Sequence, residues 1–212
     1  MHRWFLLALG ALLIAGCEST YYSTMERFGI EKREILVDRV SDARDSQTEA
    51  QQQFASALEE YTALVNFDGG DLQRLYDSLS DDFEQSEAAA QRVSDRIDAI
   101  ERVAEALFSE WQDELALYSS ASMRRDSEQK LRATQRRYSQ LLRAMRTAEQ
   151  RMQPVLDGLR DNVLYLKHNL NASAIGALQG ELDTIESDIE QLLSDMASAI
   201  AESDAFIASM TL

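Results

Sequence analysis

Val93-Ser-Asp-Arg-Ile97-Asp-Ala-Ile100-Glu-Arg-Val-Ala104-Glu-Ala-Leu107-Phe-Ser-Glu-Trp111-Gln-Asp-Glu-Leu115-Ala-Leu-Tyr118 decides the fold. Its apolar residues at 93, 97, 100, 104, 107, 111, 115 and 118 return at spacings of four and three. That spacing lays one apolar stripe along a helix, the seam by which helices pair in coiled coils and bundles. Upstream, Phe67-Asp68-Gly69-Gly70 is a strong stop, and Asp71 is a good N-cap for a helix over 71–118.

Three further seams flank it. From about Met25 to Asn66 the pattern runs through Leu36, Val40, Ala43, Phe54, Leu58, Tyr61 and Val65, thinning at Gln47 and Ala50. Ser119-Ser120-Ala121-Ser122 favours a turn, with a continuous helix as the rival reading. A third helix over about Met123 to Leu170 carries Leu131, Tyr138, Leu141, Met145, Ala148, Met152, Val155, Leu159, Val163, Leu166 and Leu170. Pro154 removes a backbone donor inside it and predicts a kink or brief break near Gln153. Asn169, Asn171 and Ser173 mark the last turn. Ile175, Leu178, Leu182, Ile185, Ile189, Leu192, Met196, Ile200 and Ile207 then define a fourth helix.

Helices of about 40 to 48 residues measure roughly 60 to 70 Å at 1.5 Å per residue. Short connections between near-equal lengths make neighbours antiparallel. The expected fold is therefore all-α: an elongated antiparallel bundle of about four long helices with coiled-coil-like seams, one domain over 25–212. The alternative is two long hairpins that splay apart or swap between subunits.

Met1-His2-Arg3 followed by the apolar run Trp4 to Ile14 reads as a targeting segment, too short to span a bilayer. Ile14-Ala15-Gly16-Cys17 resembles the lipobox of bacterial lipoproteins, which implies cleavage after residue 16 and lipid on Cys17, followed by a tether over 17–24. An ordinary secretory signal with an incidental cysteine is the plainer alternative. Cys17 is the sole cysteine, so the chain forms no internal disulfide. The lipoprotein pattern, with Glu18 in place of an aspartate after the cysteine, implies the outer membrane, facing the periplasm. Several acyl chains hold a protein on a membrane far more firmly than one.

The whole chain carries −16; loss of Arg3 with the signal makes it −17. Such acidity speaks against nucleic acid as a partner and against the whole body lying flat on an anionic membrane. The charge is unevenly placed. Residues 71–118 hold 13 acidic and 4 basic side chains, 124–151 hold 9 basic and 3 acidic, and the chain from Ala172 has 8 acidic and none basic. The plain reading sets the basic helix between acidic ones, where flanking charges help fix pairing. The sharper reading has Arg124, Arg125, Arg132, Arg136, Arg137, Arg143 and Arg146 meeting lipid phosphates or another anionic partner.

Chemistry is scarce. The chain has no Gly-x-x-x-x-Gly-Lys-Ser/Thr loop for a nucleotide and no Gly-x-Ser-x-Gly elbow. His168 is the one histidine of the mature chain, so no histidine pair can hold a metal. Asp68-Gly69-Gly70-Asp71 falls short of the six to eight oxygens calcium takes and reads as a capped turn. Phe108, Trp111, Tyr118 and Tyr138 stand at helical spacing and read as core. Lys167, His168, Asn169 and Asn171 form the most distinctive polar patch: either a contact site at one end of the bundle or side chains that satisfy terminal carbonyls. No catalytic, metal or cofactor site is expected.

Ala50 to Asp71, Ala106 to Trp111, Met152-Gln-Pro-Val-Leu156 and Leu166-Lys-His-Asn-Leu-Asn-Ala172 resemble an uncharacterised family of Gram-negative envelope proteins, catalogued as a domain of unknown function. The resemblance covers nearly the whole mature chain. Some members carry the label "DNA repair ATPase", against which stand the missing nucleotide motifs and a lipidated, periplasmic location. The family brings no known activity and no functional residues.

The expectation is a non-enzymatic, lipid-anchored scaffold or adaptor of the cell envelope, with a protein partner or a second copy of itself and no nucleotide. The alternative is a lipid or amphiphile binder whose bundle opens at the membrane surface, using adaptable Met123, Met145, Met152 and Met196.

Overall fold

A computed structural model describes residues 32–66, 69, 71–169 and 171–211. The targeting segment, Cys17 and the tether lie outside the described residues, as do Phe67, Asp68, Gly70 and Leu170. Four long helices follow: α1 (Lys32–Val65), α2 (Leu72–Glu114), α3 (Ala121–His168) and α4 (Ala172–Thr211), with a 3₁₀ turn at Leu115–Leu117.

Each seam becomes a buried heptad. In α1 the buried Leu36, Val40, Ala43, Gln47, Ala50, Phe54, Ala57, Tyr61 and Leu64 form an unbroken 4-3 alternation, with Ile35 and Val65 buried beside its two ends. The thin place in the seam is real, since the period passes straight through Gln47 and Ala50. Ala57 takes the buried place expected of Leu58, which packs at the margin. In α4 the alternation continues from Met196 through Ala199, Ser203, Phe206 and Met210. Ile200 and Ile207, expected on the seam, lie one position beside it and are half-buried. A strict heptad runs through one small and one polar residue there, and a reading guided by hydrophobicity steps onto the neighbouring isoleucines instead.

Cross-helix bonds fix direction. Arg146 reaches Asp98 while Arg160 reaches Glu87, so α2 recedes as α3 advances. Arg44 pairs with Asp204, Gln51 donates to the Leu193 carbonyl and Tyr61 to that of Leu178, so α1 and α4 are antiparallel as well. Each helix packs on its chain neighbours, and α1 closes the ring on α4. One apolar core runs from Ile35 to Met210 through all four helices. The bundle is closed within one chain, and the splayed-hairpin alternative does not apply.

The ends are capped as the residue types dictate. Asp71 Oδ1 accepts the Arg74 N–H at 3.2 Å, and Ser120 Oγ accepts that of Met123 at 3.4 Å. Gly69 has φ +132°, a conformation side chains disfavour, which is why a glycine closes α1. The serine turn exists, but α3 starts at Ala121, two residues before the expected Met123, because Ser120 supplies the cap. Helix α3 runs through Pro154 without a break. Pro154 and Gln150 are both exposed, so the carbonyl that loses its donor faces solvent.

Candidate functional site

The functional candidates are surfaces at three places on the bundle, and the first is the outer face of α3. Arg125, Arg132, Arg136 and Arg143 recur at spacings of seven and four, which puts them on one exposed stripe. A shallow hollow of about 420 Å³ between them is lined by Arg132, Gln135, Arg136, Ser139, Gln140 and Arg143. Arg132 is held by Glu128 on its own helix at 2.6 Å. Arg124, Arg125, Arg136, Arg137 and Arg143 are exposed and make no ion pair among the described residues.

Arg146 differs from the other six. It turns inward to α2, where its guanidinium bonds Asp98 at 2.6 Å and also Glu101, while Glu149 accepts at 2.8 Å from its own helix. Burial works against its charge, but the hydrogen bonds it donates to Glu149, Asp98 and Glu101 outweigh it and hold the group above the ordinary arginine range. Arg151 reaches Asp195 on α4 at 2.5 Å and Arg160 reaches Glu87 on α2 at 3.1 Å. The basic helix thus lies between two acidic ones and pairs with both through Arg146, Arg151 and Arg160. The pairing reading holds for this inner face of α3, while Arg124, Arg125, Arg136, Arg137 and Arg143 stay exposed on the outer one.

The second place is the turn between α3 and α4. Asn169 ends α3: its N–H bonds the Leu166 carbonyl at 3.0 Å and its side-chain amide that of Tyr165 at 2.9 Å. Asn171 begins α4, its Oδ1 accepting the N–H groups of Ser173 at 3.0 Å and Ala174 at 3.2 Å. Those two asparagines are caps. Lys167 and His168 are exposed beside Leu164 and Tyr165, two of the five large apolar side chains left in solvent among the described residues.

The third place is the connection between α2 and α3. Leu117 is 81% exposed, Met123 60%, and Tyr118 stands out beside them. Tyr118 is therefore not core: α2 has already tightened into the 3₁₀ turn, which rotates the following side chains off the seam. Trp111 is half-buried, with its indole N–H donating to Ser127 Oγ at 2.8 Å. Phe108 and Tyr138 do pack at the core, edge to face at 5.4 Å.

Sequence reading missed one more arginine group because it is shared between helices. Arg39 of α1 and Arg92, Arg96 and Arg102 of α2 line a surface hollow of about 430 Å³. Asp42 pairs with both Arg39 and Arg96 at 3.3 and 3.5 Å, so much of that charge is answered locally. No pattern within either helix signals it, because which arginine of α2 stands near Arg39 depends on the register between α1 and α2.

No group of three acidic, histidine or cysteine side chains suited to a metal occurs among the described residues, and none of their helices is long and apolar enough to cross a membrane. No curated protein and no solved structure matches the chain. A family model covers residues 21–210, nearly the whole sequence, so the chain belongs to the family described as protein of unknown function (DUF2959).

Proposed function

We propose that the protein is a non-enzymatic spacer of the bacterial envelope: a helical rod held on the outer membrane by lipid on Cys17 and facing the periplasm, where it serves as scaffold or adaptor. One observation carries this reading. The up-down order puts the start of α1 at one end of the rod and the exposed Leu164, Tyr165, Lys167 and His168 at the other. The 48 residues of α3 separate those ends by about 70 Å. An anchored end and a far end with accessible apolar and polar groups suit a protein that holds a partner away from a membrane. The partner is an envelope protein or a second copy of the chain, and the acidic charge speaks against nucleic acid.

The experiment is crosslinking in intact cells, with a photo-reactive residue at Tyr165 or His168, followed by separation of the membranes and identification of the adduct. A discrete protein adduct in the outer-membrane fraction, lost when the probe moves to the middle of α4, is the expected result. Turnover of a substrate that depends on mature side chains, or a Cys17 that carries no lipid, would overturn the reading.

A further inference from the structure

Among the described residues, three of the five exposed large apolar side chains are crowded into the α2–α3 connection: Leu117, Tyr118 and Met123. A hollow of about 540 Å³ beside them is lined by Trp111, Tyr118, Met123 and Lys130 among others. Arg124 and Arg125 follow at once, exposed and without an ion pair among the described residues. Apolar tips, amphipathic rings and unpaired guanidinium groups within one turn are the composition of a contact with a bilayer interface.

The register says where this tip stands. Lys32 pairs with Glu110 at 2.8 Å and Arg33 bonds the Met210 carbonyl, so the described start of α1 and the end of α4 are level with residue 110 of α2. The Arg151–Asp195 pair places the end of α4 opposite about residue 135 of α3. The hairpin over 111–134 therefore reaches about 20 Å past the described ends of α1 and α4. The chain also enters at this end. Fifteen residues separate Cys17 from Lys32, enough to span at most about 50 Å. A lipid on Cys17 and the tip can meet one bilayer.

We infer that the α2–α3 tip, Trp111, Leu117, Tyr118 and Met123 with Arg124 and Arg125, is a second membrane contact, seated on the anionic phospholipid surface that carries the Cys17 anchor. It rests on the anchored reading above. The tip's apolar groups enter the interface and its arginines meet lipid phosphates, so the acyl chains and the tip are two attachments of the kind that together give stable anchoring. Two points of attachment on one end stand the rod upright. The acidic outer surface of α2 and α4, repelled by the same phosphates, turns the rest of the body away from the membrane. Asp113 and Glu114 are exposed between Trp111 and Leu117, while Asp126, which lines the same hollow, is paired with Lys130 at 2.8 Å.

The test uses the mature, acylated chain in vesicles of phosphatidylglycerol and phosphatidylcholine with brominated acyl chains. Trp4 leaves with the signal, so Trp111 is the one tryptophan present, and the Trp111→Phe chain supplies the background. Trp111 emission is quenched by the brominated lipid, and the quenching is lost in Leu117→Glu/Met123→Glu and in Arg124→Glu/Arg125→Glu chains that still float with the vesicles. A chain that floats while Trp111 stays unquenched overturns the tip and leaves the anchor standing. A second arm titrates a Cys17→Ser chain, free of lipid, with the same vesicles. Its binding is salt-sensitive and falls roughly 30-fold with both arginines removed. This arm decides the matter even where acylation fails: no quenching, or equal quenching by phosphatidylcholine alone, overturns the proposal.

Discussion

Gln47 is wholly buried at the centre of α1, and neither its amide nitrogen nor its oxygen has a hydrogen-bond partner. An unpaired polar group in a core costs roughly 1–3 kcal/mol. Methionine has nearly the same shape and no such groups. Gln47→Met should therefore stabilise the protein by about 1–3 kcal/mol, seen as a higher urea midpoint with an unchanged slope. A lower midpoint would show that the amide is satisfied. Tyr61 is the opposite case, fully buried with its hydroxyl donating to the Leu178 carbonyl at 3.1 Å. Burial, helped by Glu181, pushes its pKa up to about 12. The unfolded chain ionises from about pH 10, before the folded one does. The stability due to the neutral phenol is thus complete below pH 10 and drains away between pH 10 and 12. Tyr138, raised to about 12 chiefly by burial, adds to the same window. Tyr61→Phe should cost about 1 kcal/mol at pH 7 and make the fall above pH 10 shallower, measured by urea unfolding at a series of pH values.

At the scale of the element, α3 holds three features that its neighbours explain. Proline inside a helix removes a hydrogen bond and crowds the preceding turn, yet Pro154 sits in an unbroken helix. Its flanks are anchored by buried Met152, Val155 and Leu156, and its own side faces solvent. Pro154→Ala restores the donor to the Gln150 carbonyl and should stabilise by roughly 1–2 kcal/mol after the greater freedom of the unfolded chain is subtracted, read from thermal unfolding. The ion pairs of α3 divide the helix lengthwise. Arg146, Arg151 and Arg160 face acidic helices and serve pairing, while the exposed stripe from Arg125 to Arg143 contributes little to stability because exposed charges are well solvated. The turns on either side of α3 are set by local chemistry, serine at its start and asparagine at its end.

At the scale of the molecule, closure of α1 on α4 joins the two ends of the chain into one core. Removing α4 after Asn169 would uncover the faces of α1 and α3 that it covers, among them Tyr61. Such a chain should retain helix by circular dichroism but lose its sharp thermal transition; a sharp transition at an unchanged temperature would mean that three helices form an independent domain.

The heptad spacing, the stop at Gly69, the cap at Asp71 and the turn around Asn169 and Asn171 made helix number, helix ends and antiparallel order readable in the residues alone, because those depend on neighbours within a few positions of each other. The burial of Gln47, the choice of Ala199 and Ser203 over Ile200, the inward turn of Arg146 alone among seven arginines, and the emergence of Tyr118 from the seam were decided only in three dimensions. Each depends on which residue of another helix stands opposite, and that register is fixed by packing four seams at once.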